Sequence, residues 1–145
     1  MPERCVDASA SIKWVVKGEP LRDKARKLLQ DSLVSGIALI APPLFEYEVE
    51  SVIQTKIVYG KITMADADLA LQALATSGVR LITHPDMIQR AREIARQFNQ
   101  PKIYDSTYAA LAELRGCEFW TADKAFYDAV KAALPFVKYL ADYPE

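Results

Sequence analysis

The sequence predicts an α/β fold: three layers, with helices on both faces of a mainly parallel central sheet of about five strands. Two observations lead there. Short apolar runs alternate with longer helical stretches along the whole chain, the arrangement of repeated βαβ units. Glycines and prolines punctuate the pattern where elements should stop, at Pro42-Pro43, Gly60, Gly78, Pro101 and Gly116.

Arg4 to Asp7 reads as a first strand, Ser11 to Val16 as a short helix and Leu21 to Leu33 as a longer one. Ile37 to Ala41 is a second strand. Pro42-Pro43 suits a helix start, and an amphipathic helix follows from about Leu44 to Tyr59, stopped by Gly60. Thr63 to Ala75 is a further helix with Thr63 as N-cap, ended by Gly78. Val79 to Ile82 is a third strand and Asp86 to Phe98 a helix, followed by the turn Asn99-Gln100-Pro101. Tyr104 to Leu114 is helical up to Gly116. Cys117 to Trp120 is a fourth strand, Lys124 to Ala133 a helix and Phe136 to Leu140 a last strand. No linker-like segment divides residues 1–145, so one domain is expected. Crossovers should be right-handed. Ligands in such folds sit outside the carboxyl ends of strands, where strand order reverses.

Composition limits the function classes. About half of the 145 residues are hydrophobic and a quarter charged, the balance of a soluble globular protein. The formal net charge of −1 excludes a strongly basic nucleic-acid binder, so nucleic-acid contact must rest on a local patch. No run approaches the roughly 18 apolar residues of a membrane span, and the first residues lack the apolar core of a signal peptide. A cytoplasmic location is the expectation. Cys5 and Cys117 fit no zinc spacing and read as core residues.

Four acids stand out. Asp7 ends the first strand and Asp123 follows the fourth, so both belong at the carboxyl edge of the sheet. Each also precedes a helix, where aspartate is a good N-cap. Asp105 lies at the start of its helix, on one face with Tyr108, Ala109 and Ala112. The helix from Leu44 carries Glu46, Glu48 and Glu50 on alternate positions. Phe45, Val49, Val52 and Ile53 define its core face. Glu48 falls at the edge of that face, whereas Glu46 and Glu50 point to solvent. A carboxylate directed inward needs a partner or a metal, and this helix offers no base one turn away.

Asp7, Glu48, Asp105 and Asp123 converging at one end of the sheet would repel one another unless cations join them. Hard divalent ions with oxygen ligands fit, meaning Mg²⁺ or Mn²⁺. His84 is the single histidine and reads as a loop or helix-start residue, which argues against zinc. Such an ion activates water and stabilises charge on a phosphoryl group, which suits phosphodiester hydrolysis. Asp7, Glu48 and Asp105 are assigned to a first metal and Asp123 to a second or to the water. Ser9 and Thr121 are placed as hydrogen-bond partners of the acids.

The segments CVDASASIKWVV, APPLFEYEVESVI, IYDSTYAALAE and FWTADKAF, in this order and spacing, resemble the PIN-domain family and its VapC-like branch of toxin ribonucleases. The resemblance spans nearly the whole chain. It implies a central parallel sheet, an acidic metal pocket made by Asp7, Glu48, Asp105 and Asp123, the last-motif hydroxyl Thr121, and cleavage of single-stranded RNA. It further implies a homodimer and a small antitoxin protein that blocks the site. One departure is Ser51, where the family helix often has asparagine; serine can still donate a hydrogen bond. Asp128 reads as solvated. Lys13, Lys17, Lys56, Lys102 and Lys124 lie near the acid-bearing segments, and Lys13 and Lys124 are the chosen candidates for RNA phosphate contact.

Other readings are weaker. A phosphatase with an aspartate nucleophile would carry a second acid where Ser9 stands, and a phospho-accepting receiver domain would show an early acid pair. The serious alternative is a PIN domain without catalysis, serving as an RNA-binding or protein-docking module; metal binding separates the two.

Overall fold

The computed structural model describes residues 2–145. The elements run β1 (Glu3–Val6), α1 (Ala8–Val15), α2 (Arg22–Val34), β2 (Ala38–Ala41), α3 (Leu44–Val58), α4 (Met64–Ala75), β3 (Arg80–Leu81), α5 (Met87–Gln97), α6 (Tyr104–Arg115), β4 (Glu118–Thr121), α7 (Lys124–Val130) and β5 (Val137–Tyr139). A single 3₁₀ turn, Leu140–Asp142, follows β5. The five strands form one all-parallel sheet in the order β3-β2-β1-β4-β5. The α/β three-layer architecture read from the sequence is the one observed.

Element ends differ from the sequence reading for local reasons. The first helix begins at Ala8 rather than Ser11, because Asp7 caps it by accepting from the Ala10 N–H at 3.0 Å. The helix from Lys124 stops at Val130 rather than Ala133; Leu134 precedes Pro135, which disfavours helical backbone there. β3 is only two exposed residues at the sheet edge, and Leu140 belongs to the 3₁₀ turn, not the last strand. Thr63 caps α4 by accepting from the Asp66 N–H at 3.1 Å. Gly116 ends α6 in the left-handed conformation, φ 67°, where a side chain would be strained.

α6 organises the interior. Every residue from Ser106 to Ala112 is buried, so this helix is enclosed on all sides rather than amphipathic. Its alanines at 109, 110 and 112 allow close approach to β1 and β4, which it contacts, as it does α5. Tyr108 stacks on Phe119 of β4, ring centroids 5.5 Å apart. Burial of that ring pair contributes on the order of 0.5–1.5 kcal/mol beyond its area. The packing fixes the start of α6, and therefore Asp105, against the ends of β1 and β4. α1 packs on α3 and α4, which sets α3 on the same end of the sheet.

Candidate active site

Asp7 immediately follows β1, and Asp123 lies two residues past β4. These strands are neighbours. From them the chain proceeds to β2 and β3 on one side and to β5 on the other. The two aspartates therefore flank the point where strand order reverses, the usual ligand crevice of open α/β sheets. α3 brings Glu48 and α6 brings Asp105 to the same place. All four carboxylates line one cavity of about 460 Å³.

The two aspartates at strand ends line the cavity and are also the helix caps their sequence positions predict. Asp7 caps α1, and Asp123 caps α7 by accepting from the Phe126 N–H at 3.0 Å. Asp105, the second residue of α6, makes no capping bond, so its carboxylate is left to the cavity.

Asp7 is 3% exposed and held by three hydrogen bonds. Ser9 donates to its Oδ1 at 2.7 Å beside the Ala10 N–H, and Thr121 donates to Oδ2 at 2.6 Å. The same hydroxyls accept from backbone in turn: Ser9 from the Ala122 N–H and Thr121 from the Asp123 N–H, each at 3.0 Å. They lace the ends of β1 and β4 together and leave Asp7 with one orientation.

Electrostatics follow from this enclosure. Burial pushes Asp7 up to about 6, against the pull of its Thr121, Ser9 and Ala10 hydrogen bonds. Asp105 is pushed up to about 8, first by burial and then by the charges of Asp7, Asp123 and Glu48 around it. Burial also raises Glu48. Its Oε1 is buried without a hydrogen-bond partner, as is the Tyr108 hydroxyl. That hydroxyl is near enough to draw Glu48 downward but falls short of hydrogen-bond geometry. Ser51, expected as a possible support for Glu48, is exposed and donates it no hydrogen bond. Glu46 and Glu50 are exposed, as the helical wheel predicted.

An orphaned carboxylate oxygen beside three further acids has the hard-oxygen chemistry that a divalent cation takes. Among the described residues no three such side chains are already drawn to ligand spacing. Magnesium sites characteristically use one or two carboxylates and keep several waters, so a wider ring of acids still fits that ion.

The sequence model of the PIN domain family matches residues 4–132. The chain belongs to the PIN domain family. Its fold is similar to the crystal structure of PAE2754 from Pyrobaculum aerophilum, with a TM-score of 0.67 and 22% identity over 97% of this chain and 92% of that one. It is also similar to Mycobacterium tuberculosis VapC20, described as a sarcin–ricin loop cleaving toxin, with a TM-score of 0.62 and 15% identity over 90% of this chain and 95% of that one. No curated protein sequence matches the chain.

The basic residues of this PIN domain are distributed differently from the expectation. Lys13 is 8% exposed and turned toward Glu19, 3.8 Å away. Lys56 pairs with the same glutamate at 3.0 Å. Lys124 pairs with exposed Asp128 at 2.7 Å. None of the three lines the cavity; Lys102 does. Sequence reasoning missed the rim residues Gln100 and Tyr104, read only as a turn and a helix start. The available signal was an aromatic directly preceding the acid of α6. His84 stands at a helix start, its Nδ1 accepting from the Asp86 N–H at 3.1 Å. Both cysteines are free, and burial raises their thiols, which makes them poor nucleophiles. Among the described residues no helix is long and apolar enough to cross a membrane.

Proposed function

We propose that this PIN domain is an endoribonuclease dependent on Mg²⁺ or Mn²⁺, acting as the toxin of a toxin–antitoxin pair. The observation that carries the reading is the convergence of Asp7, Glu48, Asp105 and Asp123 on one cavity at the reversal of strand order, with one carboxylate oxygen buried and unpaired. The fold likeness to a sarcin–ricin loop cleaving toxin supports the choice of substrate.

In this reading Asp7, Glu48 and Asp105 hold an ion, directly or through water, and Asp123 holds a second ion or orients the attacking water. Bound there, the ion supplies a water of lowered pKa and neutralises charge on the phosphoryl group. Ser9 and Thr121 keep Asp7 from rotating. Burial and the neighbouring acids favour the protonated form of Asp105, and a bound cation would favour its ionised form. Lys102 at the rim offers positive charge to a phosphate that would otherwise meet four acids. Exposed Tyr47, Val58, Tyr59, Met64 and Leu69 on and between α3 and α4 supply apolar surface for a second copy or an antitoxin.

The test is cleavage of a mixed-sequence RNA by purified protein in Mn²⁺ or Mg²⁺, beside an EDTA control and an Asp123→Asn variant, which preserves the helix cap. Cleavage lost in both controls supports the reading. Absence of both cleavage and Mn²⁺ binding in the wild-type protein leaves an RNA-binding or docking module instead.

A further inference from the structure

One wall of the acidic cavity is made by the segment Gln100 to Asp105, and it differs in chemistry from the others. Lys102 and Tyr104 project from this wall at the cavity's edge. Tyr104 is 47% exposed, and it directly precedes half-buried Asp105. Lys102 is exposed, and among the described residues it makes no ion pair; it is also the one cation lining the cavity. Its Nζ lies 6.0 Å from the Tyr104 ring centroid. Tyr47 and Tyr59 are also exposed but do not border this cavity.

The wall is held in shape from behind. Asn99 adopts φ 52°, the Gln100 N–H donates to the Ala95 carbonyl at 2.8 Å, and Pro101 fixes its own φ. The Thr107 hydroxyl donates to the Ile103 carbonyl at 2.7 Å. An exposed aromatic ring and an unpaired ammonium on a braced segment, one residue from a catalytic acid, match what single-stranded nucleic acid requires. Bases stack on the ring and the phosphate meets the cation.

We propose that Tyr104 and Lys102 form a nucleotide subsite in which the Tyr104 ring stacks on an unpaired base beside the scissile phosphate and Lys102 contacts the neighbouring phosphate. This rests on the ribonuclease reading above and deepens it to unpaired RNA gripped at a fixed distance from the acids. Because a ring face accepts any base, the subsite selects for strand flexibility more than for sequence.

Binding separates the subsite from the chemistry. Fluorescence anisotropy of a labelled mixed-sequence 12-nucleotide RNA is measured in Mg²⁺ on the full chain carrying Asp123→Asn. Tyr104→Ala, Tyr104→Phe and Lys102→Ala are added in turn, with folding checked by circular dichroism. Tyr104→Ala is expected to weaken binding at least about fivefold, the low end of base–aromatic stacking, and Tyr104→Phe to retain it. Lys102→Ala should reduce the salt dependence by about one phosphate contact. RNAs with one abasic position, scanned along the strand, should show a register where the starting protein loses affinity and the Tyr104→Ala protein loses no more. RNA binding unchanged by Tyr104→Ala, or weakened equally with base and abasic RNA, overturns the subsite and leaves the ribonuclease reading standing. No RNA binding at all, with no cleavage by the wild-type chain, overturns both.

Discussion

The Thr121 hydroxyl donates to Asp7 Oδ2 at 2.6 Å while accepting from the Asp123 N–H at 3.0 Å, so one buried side chain joins two strand ends and positions two of the four acids. Thr121→Val keeps the shape but leaves Asp7 Oδ2 buried without that donor. The expected loss is about 1–3 kcal/mol, read as a fall of roughly 2–4 °C in Tm per kcal/mol. Thr121→Ser should restore most of it. A Thr121→Val protein with unchanged Tm would show that Asp7 does not depend on this bond.

Metal-free stability should fall as pH rises. The folded chain holds the Asp105 proton up to about 8 and the Asp7 proton up to about 6, against an ordinary aspartate value of 3.8. Between those limits the folded state binds more protons than the unfolded, so unfolding becomes easier with increasing pH. The stabilisation is complete below pH 3.8 and is lost progressively toward pH 8. Asp105→Asn removes the larger part of this slope. At pH 8 in EDTA its Tm should exceed that of wild type by several degrees, on the order of 2–4 °C per kcal/mol relieved, and the two should converge near pH 4. Thermal denaturation across pH checks it; parallel curves would contradict the assigned burial.

Divalent cations should reverse that trend. Mn²⁺ or Mg²⁺ bound to the ionised acids would stabilise the folded state by mass action, about 2.7 kcal/mol when the free ion is a hundred times its Kd. Calorimetry should show proton release on binding at pH 6–7, because Asp105 must ionise. Asp105→Asn should lose both the Tm gain and the released proton.

Glu46, Glu48 and Glu50 provide an internal control on one helix. Only Glu48 lines the cavity. Glu48→Gln is expected to reduce metal-dependent cleavage on the order of a hundredfold or more, the upper end for groups supporting a metal. Glu46→Gln and Glu50→Gln, both at exposed positions, should leave it within about twofold and alter Tm by no more than about 0.5 kcal/mol equivalent.

Much of this site is legible in the sequence because strand ends and helix faces are local properties. Asp7 and Asp123 follow apolar runs that form β1 and β4, and Glu48 lies at the edge of an apolar stripe. What escaped was set by tertiary packing. Lys13 is buried on α1 and lies 3.8 Å from Glu19, a residue beyond the helix end that the helix pattern does not bring to it. Ser51 can donate a hydrogen bond from the same helix as Glu48, yet it is exposed, and it is Tyr108, from another helix, that faces this acid. The Gln100–Tyr104 wall reads as an ordinary turn until the fold sets it beside strands far away in sequence.

The most direct test of the central claim measures RNA cleavage and Mn²⁺ binding together for wild type, Glu48→Gln and Glu50→Gln, with and without EDTA. The carboxylate site predicts cleavage and ion binding in wild type and Glu50→Gln, weakened ion binding and little cleavage in Glu48→Gln, and none in EDTA. Cleavage that persists undiminished in EDTA, or in Glu48→Gln, would contradict it.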